Sequence, residues 1–100
     1  MKTKKRTVPK HTPQAEVEAL AALLAASASA GNLPALLREI LTPAELHNIT
    51  LRLKLLRMLC DGVSQRNITA ALGISLCKIT RGSRILKPPD SVSASLIKNL

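Results

Sequence analysis

The chain has 100 residues, which suits a single small domain and leaves no room for a second independent core. Apolar residues make up 46% of the sequence, but Phe, Tyr and Trp are absent, so a core has to be built from aliphatic side chains. The formal charge is +9, from 15 Lys and Arg against 6 Asp and Glu. This excess favours a polyanionic partner, and the phosphate backbone of nucleic acid is the commonest one.

The positive charge lies in two segments. Residues 1–11 carry five cations and no acid, and their polar, Pro-containing composition predicts a disordered basic N-terminal arm. Residues 12–61 hold four bases and five acids, whereas residues 62–100 hold six bases and one acid. Because the second basic segment coincides with the structural motif described below, we interpret it as functional and not merely as solubilising.

Composition and spacing also argue against several kinds of site. Cys60 and Cys77 lie at no zinc-ligand spacing from His11 or His47, and both are predicted to be small, buried or half-buried residues. The apolar run of residues 19–26 is too short to span a bilayer, which predicts a cytoplasmic protein with no membrane partner. The sequence offers no cluster of nucleophile, base and orienting group, so an enzyme, a metal or a catalytic cofactor is not expected.

Helix-start signals recur along the chain, in which no segment alternates apolar and polar residues as a strand would. Thr12 followed by Pro13 is a cap with proline at the first helical position. The strongest start is the capping box of residues 42–45, whose helix is predicted to run to Asp61 and to be terminated by Gly62. The prediction is an all-α protein with helices starting at Thr12, Pro34 (to about Ile40), Thr42, Ser64, Ser75 and Ser91.

The central helix of this prediction is apolar on more than one face. A helix of this kind usually lies in the middle of a core or at a subunit interface. Its main stripe consists of Leu46, Ile49, Leu53, Leu56 and Cys60, and the stripe is widened by Leu51, Leu55, Met58 and Leu59.

Residues 65–84 fit a helix-turn-helix, within a motif that extends over about residues 64–87. The first helix needs apolar residues on its inner face, and the turn needs a residue that tolerates a left-handed backbone, as glycine does. An ordinary helical hairpin shares most of these requirements. The motif residues are Ile68 and Leu72 on the first helix, Gly73 and Ile74 in the turn, Ser75 as the second cap, and Ile79 packing back on the first helix.

The exposed face of the second helix favours DNA binding over a plain hairpin. Residues 78–87 contain no acid, and a helix with outward basic side chains suits a major groove and its phosphate walls. Projected at helical spacing, Ile79, Leu86 and Leu76 form the inner stripe with Gly82 and Ser83 beside it, and Cys77, Arg81 and Arg84 point outward.

The run Ile-Thr-Arg-Gly-Ser at 79–83, with Ser-Gln-Arg at 64–66 and Leu-Thr-Pro-Ala-Glu at 41–45, resembles the bacterial tryptophan repressor family. The resemblance extends over about residues 33–87. It implies a six-helix fold in an intertwined homodimer, so that residues 12–100 would form one domain for dimerisation and DNA binding.

The resemblance also implies which residues face a double-stranded DNA operator. Thr69 stands where well-studied members have a lysine that reaches the operator, so the operator preference is expected to differ. The outward cations at the end of the second helix, Arg84 and Lys87, are added to the DNA-facing residues. The predicted DNA-facing residues are Gln65, Arg66, Thr69, Leu76, Cys77, Lys78, Thr80, Arg84 and Lys87.

A corepressor pocket is implied in the same way, for L-tryptophan or a related aromatic amino acid. Arg52 and Arg81 match the two arginines that sandwich the indole ring, and Thr42 and Gly82 match other pocket positions. Ile85, however, stands where a serine accepts a hydrogen bond from the ligand's ammonium group.

Losing that partner costs roughly 1–3 kcal/mol. A second departure is Lys78, which replaces a small hydroxyl residue and adds a cation near the pocket. Backbone carbonyls around Glu39 and Leu41 are the remaining acceptors for the ammonium group.

These observations predict a sequence-specific repressor for which L-tryptophan is a candidate corepressor. Two alternatives stay open, a ligand-independent regulator of the same type and a basic nucleoid-type DNA-binding protein. In both of them Arg81 would contact phosphate and Arg52 would face solvent. An RNA-binding role is disfavoured because the chain has no aromatic side chains to stack on bases.

Overall fold

A computed structural model describes residues 12–100, which form six α-helices and no β-strand. The all-helical class and the number of helices predicted from the sequence are confirmed. The predicted basic arm, residues 1–11, lies outside the described residues. Within residues 12–100, no helix combines the length and the apolar character needed to cross a membrane. The helices are α1 (Pro13–Ala30), α2 (Leu33–Ile40), α3 (Pro43–Cys60), α4 (Gln65–Leu72), α5 (Leu76–Leu86) and α6 (Val92–Lys98).

Hydroxyl side chains cap five of these helices, as their positions predicted. At the start of α3, Thr42 Oγ1 accepts from the Glu45 N–H at 3.1 Å and Glu45 Oε1 accepts from the Thr42 N–H at 2.8 Å, so the capping box is complete. Equivalent bonds at the other four starts satisfy backbone donors that a helix leaves free. The caps of α1, α4, α5 and α6 are Thr12, Ser64, Ser75 and Ser91.

Two predicted boundaries move by one residue. Helix α2 begins at Leu33 and not at Pro34, because a proline is tolerated in the first turn, where its missing N–H would have no helical partner. Helix α3 ends at Cys60, and Asp61 is its C-terminal cap.

The described chain divides into two compact units, one ending at Ile40 and the other comprising Leu41–Leu100. In the first unit α1 packs against α2, but the only buried described residue is the polar Ser27. The Ser27 hydroxyl donates to Asn32 Oδ1 at 2.6 Å. This pair of helices therefore has no buried apolar side chain of its own.

The second unit has an aliphatic core formed where α3 packs against α4, α5 and α6. Ile68 of α4 and Ile79 of α5 have no exposed surface, and Ile74 fills the angle between these helices at 8% exposure. Leu55 of α3 completes the buried cluster. The partly buried side chains around it are Leu51, Met58, Leu59, Val63 and Leu72.

The turn between α4 and α5 has the backbone that the motif predicted. Gly73 has a φ of +64°, in the left-handed region, and its N–H donates to the Thr69 carbonyl at 2.9 Å. Ser75 Oγ then accepts from the Lys78 N–H at 3.3 Å and starts α5. The prediction that Leu76 lies on the inner stripe is wrong, since this side chain is 58% exposed in the first turn of α5.

Gly82 allows α5 to lie close against α3. It is buried, and a Cβ atom at this position would lie 3.0 Å from Leu59 Cδ1 and 3.1 Å from Leu55 Cδ2. A Leu55 side chain that is only 4% exposed has little room to withdraw. The missing side chain of Gly82 therefore sets the position of α5 on α3.

We expect Gly82→Ala to lower the free energy of unfolding by up to about 2 kcal/mol. Overpacking against Leu55 and Leu59 costs about 1–3 kcal/mol, and the higher helix propensity of alanine returns about 1 kcal/mol. Urea denaturation followed by circular dichroism at fixed protein concentration measures the difference. Thr69→Ala, at an exposed position of α4, is the matched control and should not destabilise. A Gly82→Ala variant more stable than the wild type would contradict the packing argument.

Candidate nucleic-acid interface and effector cavity

Helix α5 has one face in the core and an opposite face that is exposed and basic. Ile79 and Gly82 are buried, whereas Lys78, Arg81 and Arg84 are exposed. Ile79 and Gly82 lie about one turn apart, and their burial holds the backbone of α5 in place. The outward side chains therefore extend from a fixed backbone. The outward face predicted from helical spacing is present.

Three side chains in the first half of α5 differ in the contacts they offer. Leu76 is exposed and apolar, which suits contact with a thymine methyl group. Thr80 is half-buried, and its hydroxyl donates to the Leu76 carbonyl at 3.0 Å, so its oxygen remains available as an acceptor. Cys77 is an exposed free thiol between them.

Helix α4 supplies the second part of the surface. Gln65 and Arg66 are exposed in its first turn, after the Ser64 cap, and Thr69 is exposed one turn later. The start of a helix carries a partial positive charge and free N–H groups, both of which suit a phosphate.

Of the nine residues predicted to face DNA, eight are exposed and Thr80 is half-buried. All nine lie on α4, on α5 or, for Lys87, at the C-terminal cap of α5. Residues 62–89 contain five cations and no acid, so nothing within this segment offsets its attraction for phosphate. The five cations are Arg66, Lys78, Arg81, Arg84 and Lys87.

A cavity of about 250 Å³ lies between α3 and α5. The side chains lining it recur on each helix at intervals of three or four residues, so each helix contributes one face. Its lining consists of Asn48, Leu51, Arg52 and Leu55 from α3, Ile74 from the turn, and Lys78, Arg81, Gly82 and Ile85 from α5.

Four of the five predicted corepressor residues line this cavity, namely Arg52, Arg81, Gly82 and Ile85. The fifth, Thr42, does not line it, and its hydroxyl is engaged in the cap of α3. The other three α3 residues of the lining, Asn48, Leu51 and Leu55, were not among the predicted site residues. Projecting α3 from Arg52 by helical spacing would have found two of them, Asn48 and Leu55.

The cavity combines an apolar floor with a cationic rim. Leu51, Leu55, Ile74 and Ile85 supply the apolar surface, while Arg52, Lys78 and Arg81 supply three cations. Guanidinium groups both stack on aromatic faces and donate to carboxylates. No acidic residue is among those that line the cavity.

The two cysteines differ from each other. Cys60 is half-buried, as predicted, but Cys77 is exposed, and the expectation that it would be at least half-buried is wrong. Cys77 lies on the face of α5 opposite the buried Ile79, where no neighbouring helix covers it. Within residues 12–100 no three His, Cys, Asp or Glu side chains form a group able to hold a metal ion.

Comparison with known proteins gives a consistent family. The Trp operon repressor homologs of Vibrio campbellii and Vibrio parahaemolyticus are each 38% identical to this chain over 66 residues, and that of Aliivibrio fischeri is 39% identical over 66 residues. The matches cover 65% of this chain and 66%, 64% and 61% of the three relatives. The chain thus spans somewhat less than two thirds of the length of these relatives.

No solved structure shows significant similarity to the chain. The family model described as Trp repressor protein, in contrast, matches residues 15–100, which include all of α2 to α6 and most of α1. The six-helix fold agrees with that match. On this evidence the chain belongs to the Trp repressor protein family.

Proposed function

We propose that this Trp-repressor-type regulator is a repressor that binds a two-fold operator in double-stranded DNA through α4 and α5, on the chromosome in the bacterial cytoplasm. The observation that carries the proposal is the exposed, acid-free face of α5, whose opposite face is fixed by Ile79 and Gly82. A helix held in this way presents its side chains to the major groove without further ordering.

The proposed contacts fall into two classes. Arg66, Arg84 and Lys87 are long exposed cations suited to phosphates, which supply affinity and position the protein. Leu76 and Thr80, in the first half of α5, are suited to base edges, which supply sequence preference. In a two-fold dimer the operator half-sites would lie about one helical turn apart, as in other dimeric helix-turn-helix proteins, Trp repressors among them.

A homodimer is supported by apolar side chains that the single chain leaves uncovered. Large exposed apolar surfaces on soluble proteins usually mark an interface. A second copy is the proposed cover, because symmetric dimers are the commonest assemblies and the family resemblance implies one. The exposed side chains are Val17, Leu20 and Leu23 on α1, Ile49 and Leu53 on α3, and Val92 and Leu96 on α6.

The cavity between α3 and α5 is the proposed effector site. Arg81 and Gly82 line it and belong to the same helix as the proposed DNA-facing residues. A ligand bound here would therefore act on the packing of α5 against α3. L-tryptophan, the family's corepressor, is the first ligand to test. Ile85 and Lys78 favour the alternative of a regulator that does not require it.

The phosphate role of Arg84 is tested by replacing it with alanine. We expect Arg84→Ala to weaken binding to a selected operator and to random duplex DNA by similar factors, and to reduce the slope of log affinity against log salt by about 1. Fluorescence anisotropy over a salt series measures both quantities. Lys98→Ala, which removes an exposed cation from α6, should leave the slope unchanged.

An unchanged salt slope in Arg84→Ala would contradict the assignment of α5 to the DNA surface. The same titrations separate a repressor from a nucleoid-type protein. A repressor should bind its operator at least about 10³-fold more tightly than random duplex. Equal affinity for the two DNAs would overturn the repressor proposal.

The dimer is tested at the exposed face of α3. Sedimentation of the wild type at micromolar concentration should report a dimer, and Leu53→Glu should unfold the chain. A carboxylate moved into an apolar interface without a partner costs roughly 2–7 kcal/mol or more. Lys54→Glu places the same side chain at the adjacent exposed position and should remain folded. A well-folded wild-type monomer, or equal stability of the two variants, would count against a shared core.

The basic arm is expected to supply affinity without specificity. Deleting residues 2–10, which removes all five of its cations, should weaken operator and random DNA by similar factors and flatten the salt dependence by up to about 4–5 in slope. A chain with the same arm residues in scrambled order is the control and should bind like the wild type. Selective loss of operator binding, with random-DNA affinity unchanged, would show that the arm contacts specific bases.

A further inference from the structure

The groove between α1 and α2 is left unfilled by the two helices that form it. It has a volume of about 370 Å³, and the small side chains of Ala26, Ala30 and Ala35 leave it open. Leu23 and Leu36 supply its larger apolar side chains. Because protein interiors are close-packed, an apolar groove of this size indicates a surface that another element covers.

Glu39 has the only charged side chain among the residues that line this groove. It is exposed on α2, three residues after Leu36, and therefore lies on the same face of that helix. The two neutral polar side chains of the lining bond each other, since the Ser27 hydroxyl donates to Asn32 Oδ1. The groove thus presents an apolar surface that ends in one carboxylate.

Helix α3 has a surface of complementary character on its exposed face. Ile49 and Leu53 are 48% and 41% exposed, and Arg57 is exposed one turn after Leu53. Residues four apart lie on one face of a helix, so two apolar side chains are followed by one cation along this α3 stripe of Ile49, Leu53 and Arg57. Neither Arg57 nor Glu39 forms an ion pair with another described residue.

The other cations near exposed apolar side chains do not match the groove in this way. On α6, Val92 and Leu96 are exposed four residues apart, but Lys98 follows Leu96 by two residues and lies on another face. On α3, Arg52 lines the cavity with α5. The α3 stripe is therefore the surface whose charge complements that of the groove.

We propose that the α3 stripe of one copy fills the groove between α1 and α2 of a second copy, so that Arg57 of each chain pairs with Glu39 of the other. Two-fold symmetry forms this contact twice, because each copy offers both surfaces. The apolar side chains supply burial, and the ion pair determines which faces meet and in which direction. This inference rests on the homodimer of the proposed function and assigns the surfaces that form it.

Charge reversal tests the ion pair. Glu39→Arg places two arginines against each other in both contacts of the dimer, and Arg57→Glu places two carboxylates against each other. We expect each variant to raise the dimer dissociation constant at least about tenfold, because like charges across an interface repel each other at two places. Sedimentation equilibrium of the full-length protein over a concentration series at low salt measures the constant.

Matched controls make the same changes of charge outside the two surfaces. Lys54→Glu alters an exposed residue of α3 that is not part of the α3 stripe, and Glu18→Arg alters an exposed residue of α1 that does not line the groove. Both should dissociate like the wild type. The double variant with Glu39→Arg and Arg57→Glu carries a reversed pair in each contact and should also recover the wild-type constant.

Mixing the two single variants distinguishes a contact between chains from one within a chain. When Glu39→Arg and Arg57→Glu are unfolded in urea and refolded together, the heterodimer has two pairs of opposite charge, whereas each homodimer has two pairs of like charge. Homodimers weakened about tenfold leave the heterodimer as about 90% of all dimers, which native mass spectrometry measures from the masses of the chains. The heterodimer can form even where a single variant is unfolded by itself.

Random pairing in the mixture, with half of the dimers mixed, would overturn the proposal and leave the dimer of a dimeric wild type standing. Recovery in the double variant without an excess of heterodimer would assign the ion pair to a single chain and would also overturn it. The same mixture made from chains that lack residues 2–10 should keep the excess, and its loss would assign Glu39 to the basic arm instead. A well-folded wild-type monomer would remove both this inference and the proposed homodimer.

Discussion

The close packing of α5 on α3 at Gly82 is the constraint on which both candidate sites depend. With no side chain at this position, α5 approaches Leu55 and Leu59 closely enough for Ile79 to be fully buried. The outward face of α5 then has a fixed direction, which a DNA-reading helix requires. The cavity opens beside the same contact, because Gly82 and Leu55 are also part of its lining.

One helix therefore serves two surfaces, and Lys78 belongs to both. It is exposed on the basic face of α5 and it lines the cavity, whereas Arg84 belongs only to the outer face. In the proposed function, a ligand that engaged Lys78 would compete with phosphate for the same charge. Coupling between effector and DNA would then need no long pathway, because the two proposed sites share a side chain as well as a helix.

Local signals explain how much of this could be predicted from the sequence. Hydroxyl caps, Pro13 and the left-handed Gly73 act within a few residues, so they placed five of the six helix starts and the turn of the motif. Helical spacing gave the buried Ile79 correctly and failed at Leu76. Helical periodicity predicts the side of a helix on which a side chain lies. It does not predict whether a neighbouring helix extends far enough to cover that side chain.

The cavity shows a second limit of the same kind. The family resemblance supplied four members of the lining, Arg52, Arg81, Gly82 and Ile85, because it carries over individual positions from other members. It did not select Leu51 or Ile74, since an aliphatic side chain at a cavity wall has the same sequence signal as one in a core. Thr42 was also included through the resemblance, but it does not line the cavity, and its hydroxyl accepts from the Glu45 N–H in the cap of α3.

The helix pair α1 and α2 buries a single serine and no apolar side chain, and this has a consequence for the life of the protein in a cell. If these helices gain their cover only from a second copy, a newly made chain stays open to proteases until it meets a partner. Its survival then rises with its own abundance, so a fall in synthesis is amplified into a steeper fall in active regulator. The packing of α1 and α2 would in this way determine how steeply the amount of active repressor falls when its synthesis falls.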